Sequence, residues 1–138
     1  MQAIVPVGRI LYGLLFIVAS FAHFSQGTID YAAAQGVPLA ALAVPASGLL
    51  ALLGGLSVAV GYRARVGAVL LAVFLVPVTV AMHNFWAVSD PMFYQVQMAM
   101  FFKNTALLGA ALLIFHHGAG PFSLDALRPG SVRRTQAA

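Results

Sequence analysis

Four apolar runs separated by short polar breaks dominate the chain. They extend roughly from Val5 to Phe24, Leu39 to Gly61, Val66 to His83 and Val96 to His117. Each is near the ~20 residues that a helix rising 1.5 Å per residue needs to cross hydrocarbon. None shows the strict alternation of a membrane β-strand. The pattern predicts an all-α protein, an integral membrane four-helix antiparallel bundle. It is expected as a single membrane domain over residues 1–138, with helices at about 5–24, 39–61, 66–83 and 96–117 and a basic tail over about 118–138. The first run also resembles a secretory leader, with Arg9 near its start and Ala32-Ala33-Ala34 as a candidate cleavage site. Retained, it is a membrane helix, and that is the expectation.

The breaks carry local signals of their own. Thr28 is expected to cap a short surface helix through Tyr31 to Gln35, with Gly36 at its exit and Pro38 after it. That segment reads as an interfacial spacer or as a lid over an outward cavity. Small residues recur at Ser47, Ala51, Gly55 and Ala59, at Ala64, Ala68 and Ala72, and at Gly109-Ala110-Ala111. Apolar contact between helices gains little over contact with lipid, so these stripes point to packing by close backbone approach. Pro77 is expected to kink the third helix by freeing the carbonyl of Val73. Ser123-Leu124-Asp125 reads as the cap of a short helix after the fourth span, and Pro129 to Ala138 as a mobile tail.

Composition removes the soluble alternative. Hydrophobic residues make up 62% and charged residues 7%, against usual shares of about 45–50% and about 25%. So few charges cannot coat a water-facing surface of this size. The net charge of +4 does not point to nucleic acid, because the basic residues sit at the ends of apolar runs. Juxtamembrane arginine is instead a topology signal and a contact for anionic lipid. Arg9, Arg63, Arg65, Arg128, Arg133 and Arg134 fall on one side; the breaks from Ser25 to Pro38 and Asn84 to Gln95 hold Asp30 and Asp90 but no Lys or Arg. The expectation is a bacterial-type cytoplasmic (inner) membrane, with both termini and the Arg63/Arg65 turn cytoplasmic. The absence of cysteine excludes thiol–disulfide catalysis, iron–sulfur clusters and thiolate metal sites in this chain.

Candidate chemistry gathers at the opposite, outer end. Lys103 falls a turn or two inside the bilayer, where a charge must snorkel, pair or meet water. Asn104 lies seven residues after Gln97 and shares its helix face. His83 and Asn84 end the third helix, with Trp86 just beyond, and His23 ends the first. Topology therefore brings His23, His83, Asn84, Trp86, Gln97, Lys103 and Asn104 to one end of the bundle. A polar-headed, apolar-bodied site of this kind suits a quinone or a similar amphiphile. The simpler reading of the same residues is as interfacial anchors, with Lys103 snorkelling toward Asp90. Two histidines on opposite helices could clasp a haem iron, but no acidic ligand accompanies them and their spacing is not diagnostic, so no metal site is assigned. His116-His117 reads as anchoring at the inner face.

Several motifs, in order along the chain, resemble the DoxX family of small membrane proteins. They are Gly8-Arg9-Ile10-Leu11-Tyr12-Gly13-Leu14-Leu15-Phe16, Gly54-Gly55-Leu56, Gly61-Tyr62-Arg63-Ala64-Arg65, His83-Asn84-Phe85-Trp86, Phe102-Lys103-Asn104, Gly118-Ala119-Gly120-Pro121 and Ser123-Leu124-Asp125. The resemblance implies a four-helix membrane fold. It also implies links to quinone-dependent sulfur oxidation and to membrane oxidoreductase complexes acting against oxidative stress. His83-Asn84 and Lys103-Asn104 match recurring family positions. Many members have a Glu in the second helix shortly before the paired glycines, where this chain has Ala51. The three acids Asp30, Asp90 and Asp125 all fall outside the expected helices, which speaks against proton-coupled chemistry inside the bundle.

Three functions remain open on these grounds. The first is a quinone-binding subunit of a membrane oxidoreductase, in which Lys103 would donate to a quinone oxygen, His83 would exchange a proton, and Asn84 and Asn104 would orient the ring. No catalytic residue is assigned, and electrons would come from a partner or the quinone itself. The second is a non-catalytic scaffold that docks a membrane or cytoplasmic protein. The third is a small transporter, which would need to form a homo-oligomer to have room for alternating access.

Overall fold

The computed structural model describes residues 3–127. Arg128, Arg133, Arg134 and the segment Pro129 to Ala138 lie outside the described residues. The chain forms α1 (Ile4–Ser20), a 3-10 turn (Phe21–Phe24), α2 (Gln26–Ala34), α3 (Ala40–Val60), α4 (Ala64–Met82), a second 3-10 turn (Phe85–Ala87) and α5 (Pro91–His117). There is no strand among the described residues. Four helical stretches, Ile4–Phe24, Ala40–Val60, Ala64–Ala87 and Pro91–His117, are long and apolar enough to span a bilayer. The fold is therefore the expected all-α membrane bundle.

Capping sets two helix starts that differ from the expectation. α2 begins at Gln26 because Ser25, not Thr28, is its N-cap: the Ser25 hydroxyl accepts from the Thr28 amide at 3.3 Å. α5 begins at Pro91 rather than near Val96. Asp90 accepts from the Phe93 amide at 2.9 Å, and Pro91 in the first turn has no N–H to leave unpaired. Asp90 is thus committed to a helix end.

The four long helices pack in chain order, α1 on α3, α3 on α4 and α4 on α5. α1 and α5 are not packed side by side; the Tyr12 hydroxyl reaches across to donate to the Leu107 carbonyl at 2.9 Å. Close approach is built from small residues. A Cβ on Gly13 would stand 2.5 Å from the Gly55 carbonyl oxygen, and Ala51, Ala64 and Ala68 are fully enclosed. Of Gly109-Ala110-Ala111 only Ala111 is buried, and Gly109 faces open space, so the fourth span's stripe is not a packing seam throughout. Phe16, Val58, Leu71, Phe74 and Leu75 fill the centre, with the Phe16 and Phe74 rings edge-on at 6.1 Å. Leu11, Leu14, Val18, Leu53, Val73, Leu112 and Leu113 point outward. Such a continuous apolar exterior is a surface made for lipid.

One end of the bundle is closed by Arg9. It is only 6% exposed, and it donates to the carbonyls of Ala119, Phe122 (2.8 Å) and Ala59 (3.3 Å). Its role is to tie the segment after α5 to the bundle, not to reach a lipid headgroup. Asp125 in that segment accepts from the backbone N–H groups of Arg63 (2.8 Å) and Ala64 (3.0 Å). It therefore caps α4, where the orphan amides and the helix dipole favour an anion; the expected cap of a helix of its own is corrected. The Asp125 amide donates in turn to Gly61 at 2.8 Å. Gly61 sits at φ +68, and a Cβ there would collide with Ser123 and the Arg9 guanidinium.

Candidate functional site

At the opposite end α2 folds back over the bundle. Ala32 packs on Ala40 and Val44 of α3, with Ile29, Val37 and Met82 around them. Beneath α2, between α3 and α4, lies a cavity of about 310 Å³. Thr28, Ala32 and Val37 form its roof, and Val44, Ser47 and Leu50 one wall. Phe74, Pro77, Val78 and Met82 form the other wall, and His23 stands in the 3-10 turn at its side. Val73, Pro77 and Ala46 at its margin are exposed, so it opens sideways toward the surrounding lipid. At the lower end of ligand-site volumes of about 300–1,000 Å³, it fits one ring and the start of a tail.

The polar groups of this cavity are fixed by local bonds. His23 Nδ1 and Ser47 Oγ are 3.0 Å apart, and Ser47 donates its own proton to the Val44 carbonyl at 2.7 Å. A hydroxyl has a single proton, so the Ser47 oxygen accepts and His23 Nδ1 carries the hydrogen. With Nδ1 as the donor, Nε2 of the neutral ring is an acceptor. The ring meets Phe74 edge-on at 5.5 Å. Gly48 makes its seat: a Cβ there would lie 2.6 Å from the His23 Cβ.

The residues singled out from sequence do not form one cluster. His23 alone lines the cavity. His83 Nδ1 pairs with Gln97 Oε1 at 2.8 Å, across the α4–α5 seam. Trp86 is exposed and joins an aromatic group with Phe85 and Phe101, and half-buried Asn84 accepts the Ala87 amide through its backbone. Lys103 is exposed on α5, and its ammonium touches the Met100 sulfur at 3.3 Å. It does not reach Asp90, whose carboxylate caps α5. Asn104 is only 5% exposed, on the face of α5 turned to the bundle, and its amide has no hydrogen-bond partner among the described residues. At the other end His116 and His117 are exposed, with Arg65 donating to the His116 carbonyl at 3.1 Å. Thr28, Ser47 and Phe74 join the candidate site unforeseen. The sequence offers only a weak signal for them, two hydroxyl residues flanking a predicted lid.

The family model described as DoxX matches residues 4–84, the whole of α1 to α4 and every residue lining the cavity. The SURF4 family model matches residues 45–129 and overlaps it across α4 and most of α3. The chain is similar to the inner membrane protein YphA of Escherichia coli (strain K12), with 29% identity over 121 residues covering 86% of each chain. No solved structure matches. Four membrane-length helices, matched by the family model over more than half the chain, establish that this protein is a membrane protein belonging to the DoxX family.

Proposed function

We propose that the chain binds the ring of a quinone-type amphiphile in the cavity under α2, as the ligand-holding subunit of a membrane oxidoreductase system. The observation that carries this reading is His23, a bonded and oriented imidazole in the wall of an otherwise apolar cavity of about 310 Å³. The sideways opening at Val73 and Pro77 supports it, because an isoprenoid tail can leave directly into lipid. The chain's own part is binding and orientation; electrons arrive through a partner subunit. The similar Escherichia coli protein is described as an inner membrane protein, and the same membrane is proposed here. The Arg63/Arg65 turn then faces the cytoplasm and the cavity faces away from it.

The test is to purify the protein from its native membrane in mild detergent and analyse an organic extract for quinones. Wild type, Leu50→Trp and Ala46→Trp, which fill the cavity, are compared with Lys103→Met. Quinone retained by wild type and Lys103→Met but lost from the two cavity variants supports the reading. A folded but quinone-free wild type overturns it. The docking scaffold then becomes the better reading, with the open α5 face at Thr105, Ala106 and Gly109 as its surface.

A further inference from the structure

The cavity's hydrogen-bonding groups can be counted atom by atom, and every proton among them is already committed. Ser47 gives its proton to Val44, and His23 Nδ1 gives its own to Ser47. The Ser25 hydroxyl donates to the Ala22 carbonyl at 2.8 Å, so Thr28, 2.9 Å away, must supply the proton between them. The backbone N–H groups of Thr28, Val37 and Ala43 are bonded to Ser25, Ala32 and Leu39. Among the described residues, no lysine, arginine or tryptophan lines the cavity. Lone pairs are what remain: His23 Nε2 and the Thr28 hydroxyl oxygen.

We infer that the cavity selects a ligand that brings its own hydrogen-bond donor, so that, on the reading proposed above, it takes the hydroxyl-bearing quinol in preference to the quinone. A quinone offers two carbonyl oxygens, and a donor-free wall leaves them stripped of water and unpaired, which is unfavourable. A quinol places an O–H against His23 Nε2. One such hydrogen bond corresponds to about tenfold tighter binding. A tenfold preference for the reduced form raises the midpoint potential of the bound two-electron couple by about 30 mV.

Binding is measured by anaerobic equilibrium dialysis on detergent-solubilised full-length protein cleared of endogenous ligand. One pair of probes is a decyl-substituted benzoquinone and its quinol; a second, redox-inert pair is an alkylphenol and its methyl ether. The expected result is about tenfold tighter binding of the quinol over the quinone and of the phenol over the ether. His23→Leu should abolish both preferences. The wild-type pairs decide the matter even if that variant does not fold. Equal binding within each pair, or tighter binding of the quinone, overturns the selectivity while leaving the quinone-type site standing. Binding of none of the four overturns that site and the selectivity with it.

Discussion

Replacing Arg9 by methionine keeps the length and apolar stem of the side chain and removes three donors at once. In the native chain the guanidinium serves the carbonyls of Ala119, Phe122 and Ala59 from a position only 6% exposed. The Ala59 contact, at 3.3 Å, is the weakest; the other two are short and charge-assisted, worth roughly 1.5–3 kcal/mol each. Against this stands the desolvation of the guanidinium, several kcal/mol that the variant no longer bears. The balance is an expected loss of about 2–4 kcal/mol, because two backbone carbonyls stay in place with no donor. Arg9→Lys should recover only part of it, since one ammonium cannot reproduce a planar fork that meets carbonyls from two segments. Reversible unfolding in mixed micelles, followed by helicity, measures the loss, and limited proteolysis of the segment after His117 reports its release. Arg65→Met is the control: its side chain is exposed with one bond to His116, and a change within about 0.5 kcal/mol is expected. An Arg9→Met variant as stable and protease-resistant as that control would refute the reasoning.

Other perturbations address separate parts of the fold. Asp125→Ala removes the acceptor for the Arg63 and Ala64 amides and should destabilise by about 1 kcal/mol, with faster amide hydrogen exchange confined to the first turn of α4. Gly13→Leu forces α1 away from Gly55 and should lower stability in mixed micelles by more than the ~1–3 kcal/mol of ordinary overpacking; a neutral result would mean the two helices are not in contact. Lys103→Met should favour membrane insertion of α5 by up to about 3 kcal/mol in a glycosylation-reporter assay. Unchanged insertion would show the charge is already met by water or headgroups.

The spans were legible because hydrocarbon imposes one length and one composition on any helix that crosses it, and a run such as Leu39 to Gly61 satisfies both. Packing by small residues was legible at Ala51, Gly55 and Ala68 for a similar reason. The candidate site was legible only as far as the end of the bundle. His23 and His83 both end long helices at the same level, yet one turns to Ser47 on α3 and the other to Gln97 on α5. That difference is set by the rotation of each helix about its axis. No periodicity in nearly uniform apolar runs reports it, because a face toward lipid and a face toward protein carry the same residues. Arg9 was hidden for another reason: its acceptors lie 110 and 113 positions along the chain and are backbone atoms, which leave no mark in side-chain pattern. Asp125 was misplaced on the same account, its partners being amides of Arg63 and Ala64.

The chain-order packing of the long helices bears on how the protein is made. Each span that emerges during synthesis finds its neighbour in the long helix inserted just before it: α3 meets α1, α4 meets α3, and α5 meets α4. No helix waits in the membrane for a partner still to be translated, so assembly can advance one hairpin at a time with little opportunity for wrong pairings. Arg9 breaks this rule. It enters the membrane with α1 and is served fully only when Ala119 and Phe122 arrive, after α5. A nascent chain arrested after His117 would hold every packed helix pair described above and still carry Arg9 short of two acceptors, which makes that side chain a built-in register of whether the segment after α5 has been made.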